Sequence, residues 1–220
     1  MSFSDAPISF PGLFGDWQFT VPSKALNIGN GIYWYGIIIA AGFLLAVFYM
    51  LSRAKDFGVT QDDVLDMILW AGPIGVVCAR LYYCIFYWEL YADDPISILY
   101  IWEGGLAIYG GIIGGFLFGG LACKWRGVPV LPMFDLAAMG FLIGQGCGRW
   151  GNFFNQEAFG CNTTLPWGMY SEATHDYLLS SVVTAPKGVI IDPNLPVHPT
   201  FLYESIWCFV GLFLLVRHIK

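Results

Sequence analysis

Five stretches of this chain, residues 31–51, 64–88, 106–123, 132–147 and 200–216, are long and apolar enough to cross a lipid bilayer, and nothing else limits its fold as strongly. A crossing helix needs about 17–25 mostly apolar residues. In hydrocarbon the backbone must satisfy its own hydrogen bonds, which a helix does within one segment. The sequence therefore predicts an all-α polytopic membrane protein with five transmembrane helices, a single integral-membrane domain over residues 1–220. Composition agrees, because only 12% of residues are charged, about half the share in soluble domains. The second stretch carries Asp66 at its start and Pro73 and Arg80 within it, so it is expected to lie against other helices and not to face lipid all round.

The positions of lysine and arginine set an expected orientation. Arg53 and Lys55 follow the first span, Lys124 and Arg126 separate the third and fourth, and Arg217 and Lys220 follow the fifth. These share one side if the N-terminus is outside, and the other side then holds Lys24, Arg149 and Lys187. The positive-inside rule predicts an outer N-terminus and a cytoplasmic end after the fifth span. Residues 1–30 become an outer N-terminal arm, which bears Asp5 and Asp16 and lacks the basic start of a secretory signal peptide. Residues 149–197, broken by Pro166, Pro186, Pro193 and Pro196, become an outer head segment, whose Phe153, Phe154, Trp167, Tyr170 and Tyr177 argue for order.

The net charge of −6 comes without a basic stripe, so nucleic acid is not an expected partner. Cys78, Cys84, Cys123, Cys147 and Cys208 fall in or at the ends of spans, where buried thiols are the simplest reading, and Cys161 lies outside them. With no C-x-x-C pair and with His175, His198 and His218 scattered, a zinc site has little support. Gly111, Gly115 and Gly119 recur in the third span, and Gly140, Gly144 and Gly148 in the fourth. A four-residue repeat puts each set on one helix face and predicts close approach to a neighbour.

Residues 148–160, Gly-Arg-Trp-Gly-Asn-Phe-Phe-Asn-Gln-Glu-Ala-Phe-Gly, set a cluster of polar groups at the end of an oily segment. Such residues at membrane depth usually face a protein interior, a cavity or a substrate. Arg149 offers a planar, permanently charged fork suited to phosphate. Gly151 allows close approach, Asn152 and Asn155 add donors and acceptors, and Glu157 balances charge or accepts a proton. If the segment stays helical, Arg149, Asn152 and Gln156 share a face. The same residues also fit an interfacial arginine snorkelling to head groups beside capping asparagines.

The pattern Gly148-Arg149-x-Gly151-Asn152-Phe153-x-Asn155-x-Glu157-x-x-Gly160 resembles the signature of the bacterial prolipoprotein diacylglyceryl transferases. Further matching pieces follow in order. They are Trp34-Tyr35-Gly36, Gly75, Ala79-Arg80-Leu81-Tyr82-Tyr83, Trp102-Glu103-Gly104-Gly105, Asp135, and His198-Pro199-Thr200-x-Leu202-Tyr203-Glu204. The resemblance implies transfer of an sn-1,2-diacylglyceryl group from phosphatidylglycerol to the lipobox cysteine in the signal peptide of a preprolipoprotein. It also implies the bacterial plasma membrane and no cofactor. It makes Arg149, Tyr109 and Tyr35 the expected catalytic residues, and Arg149, Asn152, Asn155, Glu157, Gly160, Glu103, Arg80 and Asp135 the expected substrate-binding set. By residue type alone, Tyr35 equally fits an aromatic belt, Arg80 and Asp135 a structural ion pair, and His198 before Pro199 a helix start. Glu103 and Glu204 share the ambiguity of that pair.

Two features depart from the family pattern. Many members carry histidine where Tyr109 stands, and a phenol is a poorer base than imidazole at neutral pH, so Tyr109 is expected to orient substrate by hydrogen bonding. The pattern also continues with two further spans, the first bearing a Tyr/Arg/Glu group, so this chain reads as C-terminally short. Two other classes suit the residues, a catalytically degenerate homologue binding lipid or signal peptides, and a small polytopic transporter with Arg80, Asp135 and Arg149 on a polar path.

Overall fold

A computed structural model of the chain describes residues 5–26, 31–182 and 191–218. Pro186, Lys187, Lys220 and residues 1–4 and 27–30 of the expected arm lie outside that range. Five helices are long and apolar enough to cross a membrane: α2 (Trp34–Arg53), α3 (Gln61–Phe86), α4 (Ile108–Arg126), α5 (Val130–Asn155) and α7 (Thr200–His218). Two helices, α1 (Pro11–Phe14) and α6 (Glu172–Val182), are shorter. Five brief strands, β1 (Pro7–Ser9), β2 (Gln18–Thr20), β3 (Lys24–Leu26), β4 (Ile32–Tyr33) and β5 (Tyr170–Ser171), and four 3-10 turns, at Ala54–Phe57, Trp88–Leu90, Pro95–Leu99 and Ile101–Glu103, complete the described elements. The chain divides into two compact units, one of residues 47–140 and one of residues 1–46 with 141–220.

In the unit of residues 47–140, α3 and α4 form an antiparallel hairpin. Thr60 starts α3 with a capping box: Asp63 N–H donates to Thr60 Oγ1 over 3.1 Å, and Thr60 N–H donates to Asp63 Oδ2 over 2.9 Å. Gly127, at φ 71°, ends α4 in the left-handed conformation that glycine adopts freely. An Arg126–Asp66 ion pair ties these two helix ends together. Close approach falls on Gly110 and Gly114: a Cβ on either would overlap Cys78, and one on Gly110 would also strike Tyr82. The expected stripe is thus displaced. Gly111 makes only ordinary contact with the Gly75 carbonyl, Gly115 faces open space, and Gly119 rests at van der Waals distance from Met67. The first turns of α5 bury Met133, Leu136 and Met139, and the Phe134 and Phe116 rings meet edge to face at 5.0 Å.

The other unit combines a small sheet with the remaining helices. β1 lies between β2 and β5, antiparallel to both, with Ile8 opposite Phe19 on one side and Ser171 on the other. β3 and β4 form a second ladder, and the Trp34 N–H donates to the Ser23 carbonyl over 2.9 Å, which joins the arm to the start of α2. The Asp5 carboxylate accepts from both the Ser23 N–H and its hydroxyl at 2.8 Å. Ile8, Val21, Met169, Leu178, Val197 and Phe201 form one buried cluster that fuses arm, head and the first turn of α7. The helices approach closely through Gly42, where a Cβ would come within 2.8 Å of Cys147 Cβ, and through Gly146, where it would come within 3.0 Å of the Phe209 ring. Gly144 faces open space and Gly148 only grazes Ile39.

α5 continues past residue 147, where the apolar run ends, to Asn155. Polarity rises there, but no proline intervenes, so the helix carries its polar residues for two more turns.

Candidate active site

The last turns of α5 assemble the polar cluster. Arg149 Nη2 donates to Glu204 Oε1 over 2.7 Å, and both side chains are about one third exposed, at 31% and 34%. Glu204 comes from the start of α7, and the same oxygen accepts from Gln145 Nε2, one turn before Arg149 on α5. Arg149 Nη1 lies 3.4 Å from Asn152 Oδ1, a distance at the weak end of hydrogen bonding. One edge of the guanidinium is therefore firmly paired and the other only loosely held.

Glu157 is anchored differently. Its Oε1 accepts from Asn152 Nδ2 at 3.2 Å and Asn155 Nδ2 at 3.1 Å, and its N–H donates to the Asn152 carbonyl at 3.0 Å. The chain reverses here through Gln156 and Ala158, both left-handed at φ 51° and 53°. For non-glycine residues this costs energy that surrounding contacts must offset. Gln156 supplies one such contact, since its buried Nε2 donates to the Ala6 carbonyl over 2.8 Å. Gln156 thus ties this turn to the arm.

Two other expected residues, Tyr35 and Gly160, border this cluster. The Tyr35 ring sits on Gly151, where a Cβ would come within 2.7 Å of it, so the glycine is needed for that packing. Gly160 donates its N–H to the His198 carbonyl over 2.9 Å, and a Cβ there would crowd the His198 Cβ at 2.9 Å. His198 closes the head onto α7: its N–H meets the Cys161 carbonyl at 3.0 Å, and its Nδ1 lies 3.0 Å from the Tyr203 hydroxyl, which also accepts from Trp167 Nε1 at 2.7 Å.

The remaining expected residues belong to the unit of residues 47–140. Arg80 is buried, with its donors spent on main-chain carbonyls: Nε on Ile98 (2.9 Å), Nη1 on Gly104 and Gly105 (2.6 and 3.2 Å), and Nη2 on Ser97 and Tyr100 (2.7 and 3.3 Å). It clasps the segment between α3 and α4 and does not pair with Asp135. The Tyr91 ring covers its guanidinium at 5.1 Å. Desolvation lifts the Tyr91 hydroxyl above its ordinary value, against the pull of Arg80. Glu103 is exposed within that clasped segment, and Tyr109 is 66% exposed in the first turn of α4. The Tyr109 ring lies 6.5 Å from the ring of Tyr82, along an aromatic groove that Tyr83, Phe86, Tyr87 and Ala107 complete. Asp135 is exposed near the start of α5, toward the hairpin end that holds the Asp66–Arg126 pair, away from Glu103 and Tyr109.

The main omission from the expected set is Gln145, with Glu204 left unassigned. Gln145 was detectable as the lone amide four positions before an arginine in an apolar helix, and Glu204 as a carboxylate early in an apolar span. Among the described residues no cluster of histidine, cysteine and carboxylates has metal-binding spacing.

Residues 23–220 match the family described as prolipoprotein diacylglyceryl transferase. Similar proteins bear the name phosphatidylglycerol–prolipoprotein diacylglyceryl transferase. One from Limosilactobacillus reuteri is 42% identical over 194 residues, covering 86% of this chain and 66% of its own length. One from Lactiplantibacillus plantarum is 43% identical over 199 residues, covering 88% and 67%. One from Bacillus cereus is 44% identical over 187 residues, covering 84% and 65%. The chain spans about two thirds of the length of these relatives.

Proposed function

Since the chain belongs to the prolipoprotein diacylglyceryl transferase family, we propose that it transfers the sn-1,2-diacylglyceryl group of phosphatidylglycerol to the lipobox cysteine of a preprolipoprotein, in the plasma membrane of a bacterium. The sulfur attacks the glyceryl carbon that bears the phosphate ester. A C–S bond forms as the C–O bond breaks, the bonding pair leaves on the oxygen of glycerol phosphate, and the thiol proton passes to an acceptor. Negative charge grows on the departing phosphate, and a guanidinium aimed there stabilises it most where water is scarce.

The observation that carries this reading is the state of Arg149, half-buried at the end of a membrane helix, paired through Nη2 and loosely held through Nη1. A phosphate oxygen can displace the 3.4 Å contact to Asn152 at little cost. Asn152, Asn155 and Glu157 hold one another and keep the rim of that site in shape, and Gly151 and Gly160 give Tyr35 and the His198 segment room to close on it. Tyr109 and Glu103 are exposed and are assigned to orienting the peptide, with Arg80 supporting the segment that carries Glu103. The N-terminus is placed outside, on the lysine and arginine distribution.

The test is direct. The protein in membranes is given phosphatidylglycerol and a lipobox peptide, and mass spectrometry seeks the diacylglyceryl thioether, with a Cys→Ser peptide as control. Arg149→Ala is expected to lower kcat/KM by about 100- to 1000-fold, the usual effect of removing a donor that stabilises transition-state charge. Wild-type kcat/KM in that variant would remove Arg149 from the role.

A further inference from the structure

Resting on this transferase reading, we propose that Gln145 is a positioning residue, which acts through Glu204 to keep Arg149 open to phosphate. Gln145 and Arg149 lie four apart on α5, so their side chains share a face. Both donate to one atom, Oε1 of Glu204. Arginine and carboxylate prefer a two-point contact, fork to fork, which would occupy two guanidinium donors. Here the pair is end-on, with Nη2 on Oε1, and Nη1 is left with the 3.4 Å contact to Asn152. The amide of Gln145 accounts for the difference: by holding Oε1 it fixes the carboxylate and takes a share of its charge.

An amide is a costly choice at this place. The flanking residues Gly140-Phe141-Leu142-Ile143-Gly144 and Gly146-Cys147-Gly148 are apolar, and a leucine would suit the membrane better than a half-buried amide, which must find a partner. The partner it finds is the counterion of Arg149.

Replacing Gln145 by leucine frees Glu204 to turn onto both donors of Arg149, so the phosphate must compete with a closed pair. The KM for phosphatidylglycerol is expected to rise about tenfold, the usual worth of one charge-assisted hydrogen bond. The kcat should stay within about twofold, since Arg149 still meets the departing phosphate once the lipid is bound. In the Glu204→Gln background there is no carboxylate to close on Arg149, and Gln145→Leu should then leave KM unchanged. A purely structural role would instead lower the melting temperature and the folded yield, with no dependence on residue 204.

The same four proteins are titrated by calorimetry with short-chain phosphatidylglycerol, with phosphatidylcholine as control, so the cycle is also read without turnover. Wild type that transfers the lipid, beside a Gln145→Leu variant of unchanged KM and unchanged affinity, overturns the role of Gln145 and leaves the transferase reading standing. Wild type that binds the headgroup but transfers nothing removes the transferase reading, and the affinity cycle then decides for or against Gln145. Wild type that neither transfers nor prefers phosphatidylglycerol overturns both.

Discussion

Tyr109 stands where many family members are expected to carry histidine, and its hydroxyl can donate a hydrogen bond at neutral pH but accepts a proton poorly. Its ring lies open at the edge of an aromatic groove, so Tyr109→Phe removes one hydroxyl and little packing. Transfer is expected to fall about tenfold, as when a single hydrogen bond to a polar partner is lost; turnover equal to wild type would take Tyr109 out of the mechanism. Asp5 gives a second measurable effect. Its carboxyl is held below the ordinary value, first by the Ser23 N–H, then by the Ser23 hydroxyl. A carboxyl with a lowered folded-state pKa contributes stability that is fully present above its unfolded value and is lost as pH falls through the folded one. Asp5→Asn should therefore melt below wild type at pH 7, and the two curves should converge below about pH 4, near the ordinary aspartate range. Arg149, Asn152 and Glu157 were readable as a cluster because they are adjacent in sequence. The Glu204 partner was not, because it sits 55 positions away and only the packing of α7 on α5 brings it in.

Helix positions were readable from hydropathy, because a bilayer imposes length and apolarity on each segment. Helix ends and helix faces were less so. Four glycines in Gly110-Gly111-Ile112-Ile113-Gly114-Gly115 make two overlapping four-residue repeats, and the pattern alone cannot say which edge meets a neighbour. The choice of Gly110 and Gly114 is made by Cys78 and Tyr82 on α3. Gly114→Leu is accordingly expected to destabilise the protein by about 1–3 kcal/mol through overpacking, whereas Gly115→Leu, facing open space, should be close to neutral. Thermal denaturation in detergent separates the two, and equal losses would refute the assignment of faces. Arg80 shows the same limit in another form. Its charge inside a span announced a need for partners, but main-chain carbonyls carry no sequence signature, so the clasp around residues 97–105 could not be foreseen.

For the molecule in its membrane, orientation is open to a chemical test. Among six free cysteines Cys161 is exposed, whereas Cys84, Cys123 and Cys208 are buried. A membrane-impermeant maleimide applied to intact cells is expected to label wild type and to label Cys161→Ser far less; labelling of Cys161 only after permeabilisation would reverse the proposed topology. The sheet of the arm carries an implication for synthesis. Ile8 pairs with Ser171, so β1 must wait for a partner made much later in the chain. At bacterial elongation rates of about 5–20 residues per second, the delay is roughly 8–30 s. During that interval β1 has one neighbour where it needs two, its free edge open to wrong pairing with another nascent chain. Four membrane helices, α2 to α5, are translated while it waits, and β5 then seals the edge that has stood exposed in the meantime.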